Sequence, residues 1–367
     1  MKFVVLQENI RNAVNLTSHF TANKSQLPLL GNILLKANKT KLILSSTNLE
    51  TSISVSISAQ VEQPGEITVN GKIFNDIISH LTSDRLEVEV SKEQLKLTSG
   101  SFKSTVLGSN SSEFPKVPQS TSDNSFLFEQ NTFKEALSKI LFSVSQDETR
   151  PVLTGVLFSF VKEYLYLVAT DGFRLSHIKL PNKVKSADFS LIIPKSVLNE
   201  LLRLDTDENF EFSYDKKNNQ VVFVSGGIIL SSRVIEGNFP DFQKIIPSSF
   251  VCNVIIDKIE FEKSIKLASV FARDSGNIIK LVITENCMKV KAESSTIGSQ
   301  ETEIEVKTSD FKSQELEIMF NFRFIEELLK IITGNEIEIQ ISGPNSAAKF
   351  LDMDKKDFFH LIMPIKI

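Results

Sequence analysis

Three stretches of this 367-residue chain repeat one another, and that limits the fold more than any other feature. "LQENIRNAVNLTSHF" from Leu6, "FEQNTFKEALSKILFSV" from Phe128 and "IDKIEFEKSIKLASVFA" from Ile256 each space apolar residues as a helix does. Superposing them sets Ile10 on Phe133 and Phe261, at offsets of 123 and 128. In the second stretch Thr132 and Glu135 form a candidate capping box. The register persists downstream. "LPLLGNILL" at 27–35 matches "RPVLTGVLF" at 150–158, and "SSTNLETSISVSI" matches "VATDGFRLSHIKL", which sets Asn48 on Asp171. A second helix follows in "NGKIFNDIISHL", "PKSVLNELLRL" and "NFRFIEELLKII", where Phe74, Leu198 and Ile325 align. Alternating strands then begin at Leu86, Phe210 and Ile337, and the copies close on "EFPKV", "NFPDF" and "IMPIKI".

The chain therefore reads as three copies of one domain, 1–122, 123–250 and 251–367, with "PQSTSDNS" at 118–125 as a linker. Period-two alternation buries one face of each strand and wets the other. Each copy has two helices and about eight strands, so the expected class is α+β, with both helices packed on one side of antiparallel sheets.

Composition excludes several function classes. The net charge of −4 disfavours a wholesale nucleic-acid coat but leaves room for a local basic surface. No apolar run approaches the roughly 18 residues of a membrane span, and the four apolar residues after Lys2 are too short a run for a signal core, so no membrane association and a cytoplasmic location are expected. Cys252 and Cys287 lack C-x-x-C spacing and read as reduced thiols. His19, His80, His177 and His360 are scattered singly, which argues against a metal site, and no phosphate-binding glycine motif occurs, so no cofactor is expected. In "VATDGFRLSHIKLP" Asp171 can be read as a general base or as a turn-maker. No His, Lys or second carboxylate accompanies it, and Asp followed by Gly is turn chemistry, which favours the second reading.

These landmarks, with the initial "MKF", "TNLE", "ATDGFRL", "FPDF" and the terminal "MPIKI", resemble in order and over the whole chain the bacterial DNA sliding clamps, the β subunits of the DNA polymerase III holoenzyme. The resemblance implies a homodimer paired head to tail into a closed ring of six domains. Helices would line the hole and duplex DNA would thread it, held without reading sequence. Such a ring is a processivity factor, not an enzyme. It tethers the replicative polymerase and recruits the clamp loader, repair polymerases and mismatch-repair or ligase proteins through short peptide motifs.

The site residues also follow from the resemblance. A hydrophobic peptide-binding groove would take Leu153, Thr170, Gly172, Phe173, Arg174 and Leu175, then Pro240, Lys244 and Ile245, and finally Leu361, Met363, Pro364, Ile365 and Lys366. Many relatives have His at the place of Phe173 and Arg at that of Lys366, which makes this groove greasier and removes a bidentate donor. DNA would be met by Lys24, Gln146 and Arg150 from loops and by Lys72, Lys134, Lys195, Lys263 and Arg323 from helices. Val106, Val270 and Phe271 would lie at the ring joint. Two competing readings stay open: an enzyme using Asp171 and Arg174, and a clamp-like scaffold that has lost DNA loading.

Overall fold

The computed structural model describes residues 1–22, 27–121, 125–182, 188–311 and 315–366. Among these are six α-helices: α1 Gln7–Ser18, α2 Gly71–His80, α3 Gln130–Ile140, α4 Lys195–Arg203, α5 Lys258–Ala272 and α6 Phe322–Leu329. Two fall in each copy, as the apolar spacing requires. None is long and apolar enough to cross a membrane.

Local chemistry sets the helix starts. Asn70 and Asn321 stand immediately before α2 and α6, and their side-chain oxygens accept from Ile73 N and Arg323 N, both at 3.0 Å. This satisfies N–H groups that a helix leaves open at its first turn. At the equivalent point of copy two stands Pro194, directly before Lys195. The expected capping box of α3 is not formed. Glu129 caps instead, its carboxylate accepting from Asn131 N at 3.2 Å and Thr132 N at 2.7 Å. The Thr132 side chain first, and then these backbone bonds, hold the Glu129 carboxyl below the usual carboxylate range. A carboxylate suits the positive end of the helix dipole, so α3 starts before Thr132. Glu135 turns instead to Lys139 and Lys355, at 2.7 and 3.3 Å.

The chain divides into two compact units, Met1–Phe133 with Arg203–Val234, and Lys134–Leu202 with Ile235–Ile367. The division follows sheets rather than repeats, because neighbouring copies share sheets. In the first unit an antiparallel sheet of thirteen strands joins copies one and two. There Thr51–Ser58 pairs with Ile228–Arg233, Val55 facing Ile228 and Thr51 facing Ser232. In the second unit a nine-stranded sheet joins copies two and three in the same way. Arg174–Pro181 pairs with Lys355–Ile362, Ile178 facing Phe358 and Arg174 facing Ile362. A separate four-stranded sheet ends on Gly298–Glu305, whose one strand partner among the described residues is Cys287–Ser294. In copy one, Phe102–Ser109 pairs with Gln94–Ser99 from Phe102 to Leu107, and its last residues Gly108 and Ser109 pair with Val69 and Thr68.

The alternating strands bury the expected faces. Leu86 and Val88, Phe210 and Phe212, and Ile337 and Ile339 are all buried. In the first unit the core is aromatic: Phe128 stacks on Phe133 at 4.7 Å, and Phe212 meets Phe223 at 5.0 Å. Burying each such ring is worth about 2–3 kcal/mol relative to exposure.

Candidate functional site

Residues 170–174 close the hairpin between strands Tyr164–Thr170 and Arg174–Pro181. Asp171 Oδ1 accepts from Phe173 N at 2.9 Å and Arg174 N at 3.1 Å. Thr170 Oγ1 accepts from Gly172 N at 3.0 Å and donates to Arg174 O at 2.6 Å. Copy one builds the same turn. Asn48 Oδ1 accepts from Glu50 N at 3.0 Å and Thr51 N at 2.8 Å, while Thr47 Oγ1 accepts from Leu49 N and donates to Thr51 O. Asp171 is thus a turn-maker, its oxygens occupied by its own backbone and by Arg174. Gly172 has φ +94° and its counterpart Leu49 has φ +77°, so glycine takes at no cost a conformation that strains leucine.

Arg174 is buried. Its Nε donates to Asp171 Oδ2 at 3.0 Å, Nη1 to Glu327 Oε2 at 2.7 Å and Nη2 to Phe142 O at 2.9 Å. The guanidinium also lies 4.7 Å from the Phe324 ring centroid and 5.3 Å from that of Phe142. It braces the turn from beneath. Burial, and then the nearby Arg174 charge, push the Lys195 amine below its usual range.

An apolar floor adjoins this turn. Leu175 faces Leu361 across two strands, and both join Leu157, Val168, Ile192 and Ala347 in one buried cluster. Val152, Phe239, Phe242, Ile246 and Phe359 pack half-buried against it. Met363 N donates to Phe173 O at 2.9 Å and Ile365 N to Met319 O at 2.9 Å, so the terminal segment is tied beside the turn. Leu153, Thr170 and Pro364 are buried and Ile365 is half-buried. Phe173 is 60% exposed and leans toward Phe324, with ring centroids 6.4 Å apart. Gly172, Pro240, Lys244, Ile245, Met363 and Lys366 are exposed. Pro240, Lys244 and Ile245 lie on the segment whose Phe239, Phe242 and Ile246 touch the floor. Sequence reasoning missed those three, although their spacing in "NFPDFQKII" was a usable signal.

Two histidines line this region. His177 stacks on Phe359 at 4.5 Å, and its imidazole is pushed down to about 4, first by burial and then by Lys349. His360 is fully buried, its Nδ1 2.8 Å from Ser176 Oγ, and burial holds it well below the usual range. Both are therefore neutral imidazoles at pH 7. Among the described residues no group of His, Cys, Asp and Glu could hold a metal ion.

Of the expected DNA-facing residues, Lys24 lies outside the described residues. Lys72, Gln146, Arg150, Lys263 and Arg323 are exposed, whereas Lys134 and Lys195 are half-buried. Arg150 Nε donates to Asp147 Oδ2 at 3.2 Å, and its Nη2 donates to Asp171 O at 3.4 Å. Of the residues expected at the ring joint, Val106 is buried within its own chain, Val270 is 55% exposed and Phe271 is half-buried. Their neighbours Leu107, 74% exposed, and Leu267, 55% exposed, were not singled out, although they present more apolar surface.

Helix pairs on sheets that run from one repeat into the next, with a buried apolar cluster beside the turn at 170–174, define a clamp-type repeat protein. Models of the DNA polymerase III β subunit match the chain in order: the N-terminal domain at 1–118, the central domain at 128–241 and the C-terminal domain at 243–366. The chain belongs to the DNA polymerase III β-subunit family. It is 29% identical to the β sliding clamp of Staphylococcus epidermidis, covering 100% of this chain and 99% of that one. The β sliding clamp of Synechococcus elongatus is likewise 29% identical, with both chains covered in full. Among solved structures, the DNA polymerase sliding clamp of Bacillus subtilis has a TM-score of 0.94 at 25% identity, covering 100% and 99% of the two chains. The DNA polymerase β subunit of Streptococcus pyogenes has a TM-score of 0.93 at 26% identity, with both chains covered in full.

Proposed function

We propose that two copies of the chain close head to tail into a ring around duplex DNA and tether the replicative polymerase to its template. The carrying observation is an incomplete set of joints. Each copy has one strand of the type Ile228–Arg233 and one of the type Thr51–Ser58, and two such joints are made within the chain. Phe102–Ser109 and Gly298–Glu305 are the equivalent strands left over. Joined in the same register, Val106 would face Gly298 of the partner subunit, and Lys103 would face the partner's Glu301. A heterologous joint that closes on itself gives a ring rather than a filament. Exposed Leu107, Leu267 and Val270 would flank this joint and be covered by it.

The remaining functions rest on the chemistry of the surfaces. Exposed Lys72, Lys263 and Arg323 on helices, with Arg150 and Gln146 on a loop, suit loose phosphate attraction that holds DNA and still lets it slide. The groove from Leu153 to Lys366 suits extended peptides of the polymerase, the clamp loader and repair proteins. Phe173 and Met363 on its rim can repack around different partners. The reading includes no catalytic step, since the carboxylate of Asp171 is spent on its own turn and on Arg174.

Light scattering at micromolar concentration tests the joint. A dimer is expected, Lys103→Glu should shift it toward monomer, and adding Glu301→Lys in the same chain should restore it. A wild-type monomer would overturn ring closure. Deleting Met363–Ile367 should abolish polymerase stimulation and leave the dimer intact; stimulation that survives would overturn the groove assignment.

A further inference from the structure

The joint between copies one and two has the strand pairing of the groove and the opposite side chains. Ser52 faces Ser231 there as Leu175 faces Leu361 in the groove, and the two hydroxyls bond at 2.6 Å. Carried through the repeat, Val168 becomes Ser45 and Ala347 becomes Gln220, whose Nε2 donates to Ser231 Oγ at 3.1 Å. Where the groove floor is hydrocarbon, its twin is hydroxyl and amide. A cleft of about 690 Å³ lies at this twin, its lining including Thr47, Ser52, Ser213 and Gln220 from strands and Pro115–Pro118, Ser120 and Thr121 from the segment between copies. That volume lies within the range of real ligand sites.

The charges on the cleft are unevenly used. Asp215 keeps its negative charge but turns its carboxylate to its own turn, accepting from Lys217 N, Asn218 N and Asn218 Nδ2. Lys116 and Arg233 are exposed on the lining, and neither makes a side-chain ion pair among the described residues. Glu50 is also exposed there; Arg233 N bonds Glu50 O, but their side chains form no ion pair.

We propose that this cleft binds an extended, acid-bearing peptide segment of a partner protein. The hydroxyl and amide floor would meet the peptide's backbone, and Lys116 and Arg233 would take its carboxylates as charge-assisted donors. A lone small anion would leave most of a cleft this size empty. The extended form of the occupant is taken from the groove, so the inference rests on the groove being a peptide site.

Two fluorescent hexapeptides with the full-length protein separate the two sites. One alternates Glu and Ser; the other is built of Leu, Phe and Gln. The acidic probe should bind, and combined Lys116→Ala and Arg233→Ala should weaken it at least tenfold while leaving the apolar probe unchanged. Deleting Met363–Ile367 should do the reverse. An acidic probe that fails to bind, or that ignores the double variant, while the apolar probe behaves as expected, overturns this second site alone. Failure of the apolar probe overturns the groove reading, and this inference with it. Displacement of the acidic probe by equimolar inorganic phosphate or short duplex DNA overturns the peptide assignment. Lys116 and Arg233 are exposed, so the variants should fold; Arg233→Lys should keep most of the binding.

Discussion

Leu49 and Gly172 occupy the same corner of the same turn, and they show how one repeat is tuned at single residues. Both have positive φ, +77° and +94°, but only glycine does so without strain. Left-handed backbone at a bulky residue costs on the order of 1–3 kcal/mol, which exceeds the entropy lost by introducing glycine. Leu49→Gly should therefore stabilise the protein by about 1 kcal/mol, read as a higher urea midpoint at unchanged slope. A lower midpoint would mean that Leu49 packs against something worth more than its strain. His177 makes a pH prediction. Its folded value of about 4 lies below the unfolded value near 6.5, so the unfolded chain binds more protons between those limits. Its contribution is complete above about pH 6.5 and is lost as pH falls toward 4, a span worth about 3 kcal/mol before solvent screening. His360 acts in the same direction. His177→Phe should flatten the fall of urea stability over that window, and an unchanged slope would contradict the assignment.

At the scale of elements, the helix starts are separately testable. Asn70→Ala and Asn321→Ala should each cost about 1 kcal/mol, because each removes a side-chain acceptor from a first-turn N–H. Calorimetry that shows no loss at either position would mean that the caps are replaced by water. These elements were legible in the sequence because they obey local rules: 3.6-residue spacing put Ile10, Phe133 and Phe261 inside, and alternation put Leu86, Phe210 and Ile337 inside. The start of α3 was misread because Thr132 and Glu135 fit a capping box, while the adjacent Glu129 carboxylate fits the helix end better. The surroundings of Arg174 were not legible at all. Its partners Phe142 and Glu327 come from distant parts of the chain, and only folding shows that its charge is spent within its own chain. The Asp171 turn was readable because its partners are three residues away or fewer.

For the whole molecule, the repeat carries the largest consequence. One fold written three times makes two joints within the chain, and the proposed ring gives Phe102–Ser109 and Gly298–Glu305 the third, with a second copy. The constant offsets between copies made this architecture legible, but not that compactness would follow the shared sheets and cut through copy two. A closed ring holds DNA by topology rather than by affinity, so the most direct measurement is retention after loading onto circular duplex DNA at moderate salt. The protein should stay on the closed circle and leave within seconds to minutes once a single cut makes the DNA linear. Equal retention on circular and linear DNA, or none on either, would contradict encirclement.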